Sequence, residues 1–300
     1  MINLCKLKTI SLHDRKSKVS IRDFAKMYNL AKNNFSECFP NIFAAKDLRE
    51  LVQHIKQAKQ NNKKIIWMIG AHVIKNGLNP LIIQLMEQDY ISHIALNGAG
   101  VIHDTEIALV GKTSEDVKEN LNDGSFGMAS ETAGFINKSI DLRDMDGYGK
   151  AIGKTLFELT TYRDHSISAM AYEMGISVSV HIAIGTDINQ MHPSFLPSVM
   201  AEASYRDFIL FCKQISQLED GVILNWGSAV ILPEVFLKAF AINKNLGNQI
   251  NNFVAANFDF VRQYRPDENI LKRPGGKAYN FVGHHEIMLP LLAIMIMGDL

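Results

Sequence analysis

The stretch spanning residues 63–117 constrains the fold more than any other part of the chain. It reads KKIIWMIGAHVIKNGLNPLIIQLMEQDYISHIALNGAGVIHDTEIALVGKTSEDV. Two short apolar runs, residues 65–69 and 91–96, are rich in β-branched residues. Each ends in a turn of small residues, Gly70-Ala71 and Asn97-Gly98-Ala99-Gly100. Between them, residues 78–86 carry apolar side chains at helical spacing. Strand, turn, helix, strand and turn in that order make a βαβ unit of a parallel sheet. Such sheets bind ligands beyond the carboxyl ends of their strands, where both turns fall. His72 follows the first turn; His103, Asp104 and Glu106 follow the second. A small-residue turn leading into carboxylates suits a dinucleotide, with backbone N–H groups meeting phosphate and an acid meeting ribose. The strict GxGxxG spacing is absent, and a glycine turn at a strand end also has a purely geometric use.

The rest of the chain continues the alternation. Residues 44–61 predict a helix with Leu48, Leu51, Val52 and Ile55 on one face. Residues 113–121 begin as a helix capped by Thr113 or Ser114, with Glu115 and Asp116 in its first turn. Helical patterns follow at 129–137, 148–160, 166–174 and 206–217. Further strands are expected at 178–184, opening into Gly185-Thr186-Asp187, at 222–224, ending at Asn225-Trp226-Gly227-Ser228, and at 252–256. A helix after the Gly227 turn runs through Asn243. Residues 265–280 are polar and rich in Pro and Gly, and read as a long loop. Residues 1–40 read as an extension with a helical segment at 20–31. Residues 141–149 read as a surface loop too short to link separate domains. The expectation is a single α/β domain over residues 1–300, built on a Rossmann-like, doubly wound parallel sheet.

Composition narrows the function class. Lys plus Arg and Asp plus Glu balance at 31 each, which argues against a nucleic-acid or membrane-surface partner. Cys5, Cys38 and Cys212 are widely spaced and form neither a metal-like pair nor a disulfide framework, so a reducing, cytoplasmic setting is expected. The apolar run 287–297 is too short to span a bilayer and reads as a buried helix.

Four clusters could carry chemistry. In the first, His103, Asp104 and Glu106, capping of the following helix by Asp104 weighs as much as a ligand role. The second, Asp187 with His192, offers too few ligands for a metal and reads as a polar substrate contact. The third is Asp267 and Glu268 with Lys272 and Lys277, a charge run that solvent alone would explain. The fourth, His284, His285 and Glu286, opens the most apolar helix of the chain. Glu286 there favours the helix dipole, yet three ionisable residues against such a helix are costly to bury without a purpose.

Taken together, GAHVIKNGL, NGAGVIHD, GTDI, LPEVFLKA and GHHEIMLPLL resemble the deoxyhypusine synthase family, in a bacterial branch of it, from about residue 17 to the C-terminus. The resemblance implies an NAD-dependent homotetramer with active sites between subunits. In the implied reaction a four-carbon fragment of spermidine passes through an imine on an enzyme lysine to a second amine. Carried over by position, Gly70, Ala71, His72, Val73, Ile74, Asn97, Gly98 and Ala99 match cofactor-contacting turns. His103 or Asp104 falls where the family has an acid near the cofactor. Asp187 and Gly227 fall on the cofactor side, as do His284 and His285, which replace an aspartate–alanine pair. Glu268 matches a polyamine-binding glutamate, and His192, Glu234 and Glu286 join it on the substrate side. Lys272 and Lys277 both qualify as the nucleophile, with Lys272 preferred. No metal is expected.

Glu234 and the two histidines depart from the eukaryotic pattern, so the substrate pocket is rebuilt. The leading expectation is therefore transfer from a polyamine or agmatine to a small amine, giving a homospermidine-like or guanidino product. The alternatives are a true deoxyhypusine synthase acting on a lysine of a translation factor, and a protein that holds NAD or a polyamine without turnover.

Overall fold

The computed structural model describes residues 38–140 and 147–298. The readings of residues 20–31, of most of the N-terminal extension and of residues 141–146 lie outside them. The chain divides into two compact units, Met1–Glu50 with Leu300, and Leu51–Asp299. Helix α1, Phe43–Gln60, begins in the first. There Arg49 donates to the Phe39 carbonyl, and Lys46 pairs with Glu50 at 3.9 Å. In the second unit its apolar stripe, Leu51, Val52 and Ile55, is fully buried.

The second unit is built on six parallel strands: β1 Ile65–Ile69, β2 His93–Asn97, β3 Ser177–His181, β4 Val222–Trp226, β5 Val254–Asp259 and β6 Lys277–Val282. Their order is β3-β2-β1-β4-β5-β6, with every neighbouring pair parallel. The chain steps outward from β1 to β3, then returns to the other side of β1. The order of a doubly wound sheet therefore reverses between β1 and β4.

The crossovers carry α2 Ala71–Lys75, α3 Asn79–Glu87, α4 Gly98–Val110, α5 Val117–Asp123, α6 Ser130–Ser139, α7 Tyr148–Leu159, α8 Ile167–Glu173, α9 Pro197–Ile215, α10 Ile231–Asn245 and the single turn α11 Tyr264–Pro266. Helix α12, His285–Met297, closes the chain. The central strands β1 and β4 are buried along their whole length, as a sheet covered on both faces requires.

One stretch departs from expectation. Residues 265–280 are not a loop: α11 runs into a π-helical turn, Asp267–Lys272, and then into β6. On this edge strand only Tyr279 and Phe281 are buried, so its apolar signal is two residues long and is masked by the Pro-Gly-Gly before it. Tyr279 and Phe281 extend an aromatic row across the sheet, in which Trp226 stacks on Phe258 at 3.9 Å and Phe258 on Phe281 at 4.7 Å. In the intervening register an asparagine ladder crosses the same three strands: Asn225 donates to Asn257 at 2.7 Å and Asn257 to Asn280 at 3.0 Å. At the other edge, Asp207 of α9 accepts from the backbone N–H of Val180 and of Gly149, each at 2.7 Å. That carboxylate satisfies a β3 edge donor and ties α7 to it.

Candidate functional site

Two clusters form at the carboxyl edge of the sheet. The first lies at the switch point. Gly70 N–H donates to the Trp226 carbonyl at 2.7 Å, and Gly227 N–H to that of Phe258 at 3.0 Å. The two turns touch: a Cβ on Gly70 would sit 2.5 Å from the Gly227 oxygen. Gly227 has φ +66°, and a Cβ there would sit 2.5 Å from Nε2 of His285. His285 opens α12 and is 1% exposed, and among the described residues neither ring nitrogen has a hydrogen-bond partner. Trp226 Nε1 is likewise unpartnered. The His285 ring stands edge-on to Trp226 at 6.1 Å and to Phe260 at 6.3 Å. Burial lowers its pKa, with the Asp259 charge opposing. A neutral imidazole carries one donor and one acceptor, and each left unmet in a buried site costs roughly 1–3 kcal/mol.

The second cluster lies beyond β2 and β3. Asn97 caps α4 by accepting from Gly100 N–H at 2.9 Å. A Cβ on Gly98 would overlap the Asp187 carboxylate, so Asp187 lies against the first turn of α4. Burial pushes its carboxyl up to about 6, with a Thr186 hydrogen bond opposing. Next to it is a pocket of about 210 Å³ walled by Ile102, Val117 and Phe126, with His103, Glu106 and Asp187 among its polar groups. His103 Nδ1 lies 2.6 Å from Thr113 Oγ1. The Thr113 hydroxyl donates to Glu106 at 2.5 Å, and Thr132 donates to the other Glu106 oxygen at 3.1 Å.

Other expected residues are placed elsewhere. Asp104 is fully buried and accepts from Ser166 Oγ at 2.8 Å, from Ile167 N–H and Ser168 N–H at 2.9 Å each, and from Asn79 at 3.3 Å. It binds the first turn of α8, so the expectation of a rim acid there is corrected to a helix cap. Glu234 accepts from Arg265 at 3.1 Å and Asn269 at 3.0 Å, and also pairs with Lys238. His192 is bonded to Ser194 at 2.8 Å. Glu286 accepts from Asn76 at 2.9 Å, joining α12 to the end of α2, while His284 is exposed.

The lysines are also corrected. Lys272 is exposed and paired with Asp267 at 2.6 Å and Glu268 at 2.8 Å. Hydrogen bonds to those two carboxylates raise its pKa, the opposite of what a neutral nucleophile requires. Lys277 starts β6, in register with Val254. It therefore sits at the amino edge of the sheet, about 16 Å of strand away from the rim, with its ammonium over the Tyr279 ring at 5.4 Å. Within this chain neither lysine joins Gly70 and Gly98. Sequence reasoning also missed Trp226 and Asp259, and it expected Thr113 or Ser114 to cap a helix that Asp116 caps, while Thr113 bonds to Glu106. Trp226 and Asp259 end strands β4 and β5, and their positions could have suggested them.

The residues at the switch point fit a dinucleotide. The two glycine turns pack on each other and on His285, α4 and α12 point their positive ends at the rim beside them, and both ring nitrogens of His285 are unmet. No family model and no curated protein matches the sequence. Solved structures do match in fold. AgrE, in a ternary complex with ornithine and NAD+, gives a TM-score of 0.56 at 12% identity, covering 84% of this chain and 32% of that one. The cyanobacterial arginine dihydrolase ArgZ gives 0.53 at 14% identity, covering 85% and 33%. This chain thus spans about a third of the length of those two proteins. An Entamoeba histolytica protein provisionally assigned as a deoxyhypusine synthase gives 0.55 at 11% identity, covering 90% and 96%. At these identities the likeness is one of fold: a Rossmann-like parallel α/β sheet shared with all three.

Proposed function

We propose that this chain is an NAD-dependent enzyme of small aliphatic amines, polyamines or agmatine, that moves a four-carbon amine fragment to a second small amine. The observation that carries the reading is His285, a buried imidazole with both nitrogens unmet, packed on Gly227 where the strand order reverses. The first turns of α4 and α12, beside the Gly70 and Gly227 turns, would meet the cofactor's phosphates with their backbone N–H groups, with His285 as the polar group behind them. The cofactor would supply a hydride acceptor and donor for oxidising and re-reducing a carbon–nitrogen bond. Asp187, whose carboxyl burial pushes up to about 6, can take or return a proton from an amine beside it. Phe260 and Trp226 exclude water from the His285 side.

Lys272 is charged and Lys277 is at the far edge, so we place the exchange directly between two amines, in place of the expected enzyme-lysine imine. The acceptor nitrogen bonds to the oxidised carbon as the leaving nitrogen departs. A homotetramer with shared sites and a cytoplasmic setting belong to the same proposal. Cys38 and Cys212 are free thiols, in keeping with a reducing compartment, and among the described residues no helix is long and apolar enough to cross a membrane.

Holding of cofactor or amine without turnover is the second reading. It is favoured by Lys272 and Lys277, of which the first is held in ion pairs with Asp267 and Glu268 and the second starts β6 at the amino edge of the sheet.

The test is incubation with NAD+ and spermidine, putrescine or agmatine, following NADH absorbance and identifying products by mass spectrometry. NADH formed with a donor and consumed when an acceptor amine is added is the expected result. Binding without reduction points to the second reading. Label from spermidine appearing in a protein lysine would restore deoxyhypusine synthesis. No binding of NAD+ overturns the proposal.

A further inference from the structure

Strand β3 reads SVSVH, and its alternation puts Ser177, Ser179 and His181 on one face of the sheet. β2 adds His93, in register with Ser177, to the same face. The four side chains make one unbroken row. Ser177 Oγ lies 2.8 Å from His93 Nδ1, Ser179 Oγ lies 3.0 Å from His93 Nε2, and His181 Nε2 lies 2.9 Å from Ser179 Oγ. Phe211 of α9 covers the row, its ring 5.7 Å from that of His93 and 5.3 Å from that of His181. A strand face under a helix ordinarily holds apolar side chains, so four polar ones in series need a reason beyond packing.

The row runs the length of β3 and ends in a cavity at each edge of the sheet. Ser177 lines one of about 320 Å³ at the amino edge, with Lys150 and Tyr172. His181 lines one of about 270 Å³ at the carboxyl edge, with Ser204 and Tyr205. Both are roomy enough for water. Among the described residues no carboxylate bonds to the row, so nothing there holds an imidazolium. Burial, with the Lys64 ammonium adding to the effect on His93, keeps both rings neutral.

A neutral imidazole has one donor and one acceptor nitrogen. Ser179 has one proton, so the tautomer of one ring dictates that of the other. In one arrangement Ser177 donates to His93 Nδ1, His93 Nε2 donates to Ser179, and Ser179 donates to His181 Nε2, which leaves the His181 hydrogen on Nδ1. In the other arrangement every bond is reversed, with the ring hydrogens on His93 Nδ1 and His181 Nε2. Both keep the same three hydrogen bonds. Both also have one ring protonated at Nδ1 and the other at Nε2, so any intrinsic preference between tautomers cancels. The two arrangements are therefore close in energy.

We propose that Ser177, His93, Ser179 and His181 form a proton path through the sheet, which joins the amino-edge cavity to the carboxyl edge by switching between these two arrangements. In the step, His181 Nδ1 gives its hydrogen to a base in the carboxyl-edge cavity. The Ser179 hydrogen moves to His181 Nε2, the His93 hydrogen passes from Nε2 to Ser179, and the Ser177 hydrogen moves to His93 Nδ1. An acid dissolved in the water of the amino-edge cavity replaces the Ser177 hydrogen. One proton enters as one leaves, and each ring ends neutral. The reverse step resets the row, which suits a reaction that releases a proton in one half and recovers it in the other.

The test is nuclear magnetic resonance of the ¹⁵N-labelled full chain without cofactor, reading the ring nitrogens of His93 and His181. Both nitrogens of both rings should lie between the protonated and bare positions, with the two arrangements populated within about tenfold of each other, the equivalent of about 1.4 kcal/mol. The averaging should hold from about pH 6 to about pH 8, which separates it from partial protonation. In deuterated water the ring hydrogen of His93, a fully buried residue, should exchange at least about tenfold faster than the backbone N–H groups of β2, which open only with the sheet. Ser179→Ala should settle each ring in a single tautomer, and Ser179→Thr, which keeps the hydroxyl, should restore the averaging. One fixed tautomer for each ring in the parent, exchange of the His93 ring no faster than that of the β2 backbone, or undiminished averaging in Ser179→Ala overturns the inference. The parent spectrum decides the matter even where a variant does not fold. Neither readout depends on NAD+, so this inference and the NAD reading fail separately.

Discussion

Asp104 and Asp187 each follow a strand by a few residues, and each is buried, yet their carboxylates meet different surroundings. Asp104 takes two backbone N–H groups, a serine hydroxyl and an asparagine amide, enough to hold it at the start of α8. Asp187 has Gln190 at 3.1 Å and a Thr186 contact, and lies against Gly98, so it faces the rim. From its place after NGAG, Asp104 reads as a cap of the helix that follows, but it lies inside α4, which Asn97 caps, and binds instead the first turn of α8. That partner was not legible, because α8 begins some sixty residues later and reaches Asp104 only in the folded chain. Asp104→Ala should lower the unfolding free energy by about 3 kcal/mol, since several buried donors lose their acceptor at once. Denaturant unfolding measures this. A loss under about 1 kcal/mol would show that the cap matters little.

Elements show a similar division. β1 was legible to the residue, and β2 to β5 within a few residues, because each is a short apolar run closed by a turn. β6 was not, because its buried face holds only Tyr279 and Phe281. The asparagine ladder was hidden too: Asn225, Asn257 and Asn280 become neighbours only through strand register. It bears on the site, since Asn225 also donates to the Ser228 carbonyl at 3.0 Å, holding the turn that contains Gly227. Asn257→Ala strands an Asn225 donor and an Asn280 acceptor, and should cost about 2 kcal/mol of stability. It should also weaken NAD+ binding through the loosened turn. Thermal unfolding and titration together test this, and a stable variant that binds normally would separate the ladder from the site.

Across the whole molecule, buried titratable groups oppose one another. His93 and His181 are joined through Ser179 at 3.0 and 2.9 Å, and His93 also meets Ser177 at 2.8 Å. Burial lowers both rings to about 3, with the His181 charge adding to the effect on His93. Between there and the ordinary 6.5, the unfolded chain takes up protons that the folded chain refuses, so stability falls as pH drops through that window. Asp207 works in reverse. Burial raises it to about 7 from 3.8, against the pull of its two backbone hydrogen bonds. The folded chain keeps a proton there that the unfolded chain releases, and stability falls as pH rises through that window. Asp207→Asn removes this titration while retaining an acceptor for Gly149 and Val180. Its Tm, relative to the parent, should be higher at about pH 8 than at about pH 5. Parallel Tm profiles for variant and parent would contradict it.

By itself the sequence determined the architecture and the polar turns at one edge of the sheet. Periodicity, β-branched runs and small-residue turns act between residues close in the chain, so they specify a parallel α/β sheet with polar turns at its carboxyl edge. Only the tertiary structure decided which side chains reach that edge. Strand register sends Lys277 to the opposite rim, the docking of α8 claims Asp104, local ion pairs hold Lys272, and α12 delivers His285 onto Gly227. Each of these depends on segments brought together by packing, at separations where local pattern carries no information.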